Sequence, residues 1–170
     1  MDSGGDLMGA HGGDVDWGAF AAASPELAAR IQKRFESHLH AVMATIRADG
    51  APRMSGMEAP IRDGHLWLGM DRNSRKAADL YRDPRFGLHS APESGELKAG
   101  DARIEGTAVP ADANQLETFM RGHHHEIDDA TPMALFTVRI AHAVLVRVDG
   151  QQLVVETWTP AGGLTERRLS

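Results

Sequence analysis

A run of polar residues, Asp71-Arg72-Asn73-Ser74-Arg75-Lys76, sits where the apolar stretch Leu66-Trp67-Leu68-Gly69-Met70 gives way to a helical pattern. These residue types match the needs of a phosphate monoester. A helix start offers unpaired backbone N–H groups, Ser74 a hydroxyl, Arg75 a forked guanidinium and Lys76 an ammonium, which together can satisfy a dianion. Ser-Arg-Lys alone equally describes a capped, solvated helix end, so its meaning depends on the elements around it. The run His123-His124-His125, next to Glu126, Asp128 and Asp129, has metal-ligating residue types. Consecutive side chains diverge on a helix or strand, so a polar loop is expected there and no metal site. His38 and His40 flank a strand start and are of a type that can ligate haem; solvent-facing strand-entry histidines are the preferred reading. With no cysteine, thiolate metal sites, disulfides and thiol nucleophiles are excluded. No triad or carboxylate pair stands out, so no catalytic side chain is assigned.

The elements that must position these residues alternate between two periods. Ser24-Pro25 is a helix start, and Leu27, Ile31 and Phe35 recur along one face, which predicts a helix from about Ser24 to Ser37. The period then shortens to two. His40–Arg47, Ala51–Ala59 and His65–Met70 read as strands joined by Asp49-Gly50 and Asp63-Gly64 turns, an antiparallel meander. Beyond it come a helix over Asn73–Tyr81, strands at Arg85–Ser90 and Ala102–Val109, and a helix capped by Asp112 and running to about Arg121. The β-rich segments Ala134–Asp149 and Gln151–Trp158 meet at a third Asp-Gly turn. Residues 1–16 are Gly- and Asp-rich and are expected to be a flexible tail, leaving 17–170 as one domain.

The charge balance is 18 basic against 24 acidic residues, a formal −6, which argues against general attraction to nucleic acid or anionic lipid. A bound anion must be held locally. No stretch approaches the roughly 20 apolar residues of a membrane helix, and no basic region with a following apolar run opens the chain, so a cytoplasmic location is expected.

The order Pro52-Arg53-Met54-Ser55, then Leu66–Met70, then Asn73-Ser74-Arg75-Lys76 resembles the pyridoxamine 5′-phosphate oxidase-like family. Asp83-Pro84-Arg85 and Arg103-Ile104-Glu105-Gly106 add to the likeness, which runs from about Phe35 to Trp158. The resemblance implies a mainly β protein with peripheral helices: a split β-barrel, antiparallel, six-stranded and Greek-key-like, assembled as a homodimer. FMN would lie between subunits, its phosphate gripped by Arg53, Ser74, Arg75 and Lys76, with Asn73 also among the cofactor-binding residues. Met54 and Ser55 would follow the ribityl chain or ring, and the backbone of Gly69 and Met70 would face the polar edge of the isoalloxazine. Trp158, followed ten residues later by Arg168, matches the late aromatic that the family brings toward the flavin, while a large aromatic there equally reads as a core or dimer-interface residue. Glu58 stands where pyridoxamine phosphate oxidases carry a substrate-binding lysine, which counts against vitamin B6 oxidation. The implied activity is FMN-dependent hydride transfer to or from a small molecule, with a deazaflavin coenzyme or non-enzymatic flavin or haem binding as alternatives. Pairing is also favoured physically, since a small sheet leaves apolar faces and edges uncovered.

Overall fold

Period-two burial organises the chain. In β1 (Ala41–Ile46) Ala41, Met43 and Thr45 are buried while Val42, Ala44 and Ile46 are half-buried. It pairs antiparallel with β2 (Pro52–Met57), Ala44 opposite Met54 and Thr45 opposite Arg53. The Asp49-Gly50 turn between them places Gly50 at φ 82°, a conformation that glycine adopts without steric cost. The computed structural model describes residues 13–92, 95–121 and 132–170.

The expected meander fails at its third strand. β3 (Ile61–Arg62) and β4 (His65–Leu66) form their own small hairpin about Asp63-Gly64, and β5 (Leu68–Asp71) leaves to pair with β8 (Met133–Asp149). Trp67 is the reason. Its backbone N–H goes to the Pro60 carbonyl, its indole N–H to the Arg62 carbonyl, and its fully buried ring lies against Phe119, so the chain turns out of the ladder there.

With β6 (Arg85–His89), β7 (Asp101–Pro110), β9 (Gln152–Thr159) and β10 (Gly163–Leu169), the main sheet runs β10-β9-β8-β7-β6-β1-β2, with β5 on β8. Among the described residues that is eight strands where six were expected, and they do not close the sheet. The terminal strand β10 was not anticipated; its residues are largely exposed, so no apolar alternation announces it.

β8 is the spine. Its first residues pair with β5 and its last with β9, and the stretch between is met by Val15, whose backbone exchanges both hydrogen bonds with Ile140. The flexible-tail reading is therefore corrected at its inner end: Val15 is paired, and Asp16 caps α1 (Trp17–Ala23) by accepting from the Ala19 N–H. Residues 1–12 lie outside the described ones. Trp17 and Phe20 bury the apolar side of α1, and Leu27, Ile31 and Phe35 that of α2 (Pro25–Glu36). Arg30 of α2 grips Glu156 of β9 through both carboxylate oxygens, and Arg147 of β8 adds a third bond. The two partly exposed arginines close over the buried Glu156 and fasten α2 across the sheet.

A bulge bends β8 against β7, where Glu105 faces His142 and Gly106 faces Ile140, leaving Ala141 unmatched. A Cβ on Gly106 would fall 1.9 Å from the Arg139 carbonyl oxygen, which belongs to the partner strand's backbone and cannot swing aside. Gly106→Ala is expected to destabilise the protein by about 3 kcal/mol. In thermal unfolding its midpoint should drop by roughly 6–12 °C; a midpoint equal to wild type would contradict the close approach.

Candidate functional site

The polar segment that opened the sequence reading ends β5 and starts α3 (Arg75–Arg82). Ser74 is the cap: its Oγ accepts from the Ala77 N–H at 3.2 Å. The turn before it is internally satisfied, with the Asn73 N–H on the Asp71 carboxylate and the Ser74 N–H on the Asp71 carbonyl. Asn73 thus keeps only its side chain for a ligand. The N–H groups of Arg75 and Lys76, in the first turn of α3, have no helical acceptor and lie at the positive end of its dipole. Arg75 is exposed and Lys76 half-buried.

α3 lies against β1 and presents Asp79 to the sheet. Asp79 is 3% exposed and accepts from Arg53 Nε at 2.6 Å, Thr45 Oγ1 at 2.9 Å and Arg82 Nη2 at 3.2 Å. Burial alone would raise the Asp79 carboxyl, but the bonds from Arg53, Thr45 and Arg82 outweigh it and hold the group below its ordinary value. One turn earlier, Lys76 Nζ reaches the Gly56 carbonyl of β2 at 3.3 Å. Two contacts thus fix β2 to α3, and they bring Arg53 and Lys76, far apart in sequence, to one junction. Ser55 shares the α3 side of β2 with Arg53, because the pleat repeats every second residue.

β2 is an edge strand, and its hydrogen-bond parity follows from the bond between the Arg47 N–H and the Ala51 carbonyl. Ala51 is bonded across the hairpin, so by alternation Arg53, Ser55 and Met57 are as well. Met54 and Gly56 turn their N–H and C=O groups to the open edge. The Gly56 carbonyl is taken by Lys76, so among the described residues the edge beside the basic residues keeps the Met54 N–H and C=O and the Gly56 N–H unused. Met54 also projects its side chain, 74% exposed, onto the outer face. That face holds two adjoining depressions of about 180 and 300 Å³, floored by Val42, Ala44, Ile46, Met54 and Gly87 and rimmed by Arg85, Arg103 and Glu105.

A family model described as pyridoxamine 5′-phosphate oxidase matches residues 27–157. The chain belongs to this family. Among solved structures, the family member resembles PhzG from Burkholderia lata, crystallised with tetrahydrophenazine-1-carboxylic acid, with TM-score 0.65, 12% identity and coverage of 89% of this chain and 92% of that one. A haem-binding protein from Mycobacterium smegmatis gives TM-score 0.62 and 19% identity over 79% of this chain, which spans 58% of that longer protein. General Stress Protein 26 from Bacillus anthracis gives 0.53 and 18%, covering 71% of this chain and 97% of that one. At these identities the likeness is one of fold, and it identifies the split-barrel architecture. No curated protein matches the sequence significantly.

Set within the family, the expected residues divide. Arg53, Ser55, Ser74, Arg75 and Lys76 gather at the β2–α3 junction, with Asn73 on the turn before it and Met54 at the adjoining edge. Trp158 does not join them. Within one chain it is 4% exposed and packs on Phe20 with ring centroids 4.8 Å apart, a core position under α1. Arg168 is engaged with Glu166 and Asp149 on the sheet's far edge. Met70 has its side chain in the core, and its backbone faces β8: the Arg72 N–H bonds the Pro132 carbonyl, so Met70 has the bonded parity and Gly69 the open one. Only Gly69 keeps free backbone groups, under Phe119, Leu135 and Met133. Glu58, His38 and His40 are exposed, and the run His123–His125 lies outside the described residues. Among the described residues no three acidic or histidine side chains are placed to hold a metal, and no helix is long and apolar enough to cross a membrane. The residue missed by sequence reasoning is Asp79; its spacing of three from Lys76 on α3 was the available signal.

A lowered carboxyl favours the folded state above its ordinary titration range and loses that contribution as pH falls through the folded value. Wild-type stability should therefore decline below about pH 4. Asp79→Asn is expected to be less stable at pH 7 and to show a shallower decline between about pH 4 and 2. Urea midpoints across that range test this, and parallel pH curves for the two proteins would contradict it.

Proposed function

We propose that the protein is a flavin-dependent oxidoreductase that binds FMN at the β2–α3 junction and works as a homodimer. The observation that carries this reading is the convergence of Arg53 and Lys76 beside the open N-terminus of α3, at a strand edge with unused backbone groups. A phosphate dianion needs several donors and a positive field, and Arg53, the Ser74 hydroxyl, Arg75, Lys76 and the first-turn N–H groups offer both. In a chain of net charge −6, a local cluster of cations is what makes such an anion site workable. The polar edge of a flat ring system is suited to the outward N–H and C=O groups of Met54 and the N–H of Gly56, whose carbonyl accepts from Lys76. Family membership supports a flavin-type cofactor, and the residues present fit FMN.

When bound, FMN supplies hydride acceptance and donation at its ring. The protein's own residues then bind and orient. Arg53 and Lys76 would hold the phosphate end, and Ser55, Asn73 and the β2 edge would hold the rest of the cofactor. No side-chain acid or base is needed for hydride transfer itself.

The dimer is supported by the outer face of β1, β2 and β6. Val42, Ala44, Ile46, Pro52 and Met54 form an apolar floor with charges of both signs at its rim, a surface that suits burial against a second copy. Because Met54 belongs to both that face and the open edge, the second copy would cover the ring-binding side and exclude water from it.

Two outcomes test this. Arg53→Ala combined with Lys76→Ala should weaken FMN binding by at least 100-fold in a fluorescence titration while barely changing riboflavin binding, since riboflavin lacks the phosphate; equal FMN affinity in variant and wild type would sink the assignment. Ala44→Asp is expected to place a charge in the apolar floor and yield a monomer of about 18.4 kDa by sedimentation, with reduced flavin retention. A wild-type protein that is already monomeric at micromolar concentration would overturn the dimer. An absorbance spectrum of the purified protein separates FMN from a deazaflavin or haem.

A further inference from the structure

We propose that Asp79 is the positioning residue of the phosphate site, holding Arg53 by its Nε edge so that the two Nη groups remain as the fork that meets the phosphate. This rests on the reading of the β2–α3 junction as a phosphate site. Arg53 offers five N–H donors in a rigid plane. Its ion pair with Asp79 uses Nε, at 2.6 Å, and its side chain remains 19% exposed, so the guanidinium is anchored on one edge and open on another.

The anchor is itself held. Thr45 Oγ1 donates to the same carboxylate oxygen as Arg53 does, and Arg82 Nη2 donates to the other one. Arg82 also donates to the Ile46 carbonyl at the end of β1, which fixes it to the sheet. The carboxylate therefore cannot follow Arg53 if that side chain swings away. A loose arginine would lose rotamer freedom on binding an anion, whereas this one has lost it beforehand. Asp79 also carries a negative charge near an anion site. Its shared pairing with Arg82 offsets that repulsion, and orientation outweighs what remains.

The experiment is a pair of fluorescence-quenching titrations, FMN and riboflavin, on the full chain as wild type, Asp79→Asn and Asp79→Ala. The ratio of riboflavin Kd to FMN Kd isolates the phosphate. An asparagine keeps the shape but has one oxygen to serve Arg53, Thr45 and Arg82, so the ratio is expected to fall about tenfold with riboflavin affinity unchanged. Alanine should fall at least as far; if it does not fold, asparagine carries the test. A ratio that is unchanged or rises in Asp79→Asn overturns the proposal, the rise marking Asp79 as a mere counter-charge. Equal losses for both ligands also overturn it, because they mark a general structural role. A wild-type ratio near one overturns the phosphate site itself and the role of Asp79 with it.

Discussion

A carboxylate taken out of water between a helix and a sheet must be met by donors, and Asp79 is met from three elements at once. Thr45 comes from β1, Arg53 from β2 and Arg82 from the end of α3. An apolar residue in its place would let α3 slide or rotate on the sheet, because hydrophobic packing is non-directional. The charged bonds fix the registration of α3 on the hairpin. The N-terminus of α3 and the cations flanking it lie one turn away, so this buried group, together with the Lys76–Gly56 bond, sets the geometry of the junction.

The second constraint is the incomplete sheet. β8 hands over from β5 to β9, and the gap is served by Val15 and covered by α1 and α2. The fold can therefore remain open without exposing β8 there. β2 has no such cover. Among the described residues, its outward groups apart from the Gly56 carbonyl and the apolar face beside it stay uncovered, and uncovered strand edges invite association. In the dimer proposed above, that exposure is what makes β2 available to a ligand and to a second copy together.

Much of this was legible in the sequence where the determinant is local. The Asp49-Gly50 turn fixes the β1–β2 hairpin, Ser24-Pro25 starts α2, and Ser74 caps α3, each through residues within a few positions. What escaped depends on distant partners. β5 leaves the expected meander because Trp67 finds its place against Phe119, fifty-two residues away. β10 is an exposed edge strand whose pairing with β9 leaves no apolar period behind it. Trp158 has the spacing of a cofactor residue, yet Phe20 of an unforeseen helix claims its ring. The cap Asp16 and the pair Trp17 and Phe20, three apart, were the signals of that helix, set in a Gly- and Asp-rich context that masked them.

The candidate site divides along the same line. Its residue types were readable, because phosphate chemistry demands cations and helix N–H groups whatever the fold. Their pairing was not. Arg53 and Asp79 are 26 positions apart, and an aspartate beside the proposed anion site looks unfavourable until its burial and its three donors are seen. A buried carboxylate that already satisfies arginine on one edge turns an adaptable side chain into a fixed one, and fixed donors lose less entropy on binding than mobile ones. The acidic residue and the basic site are therefore not in conflict: the first determines where the second can point.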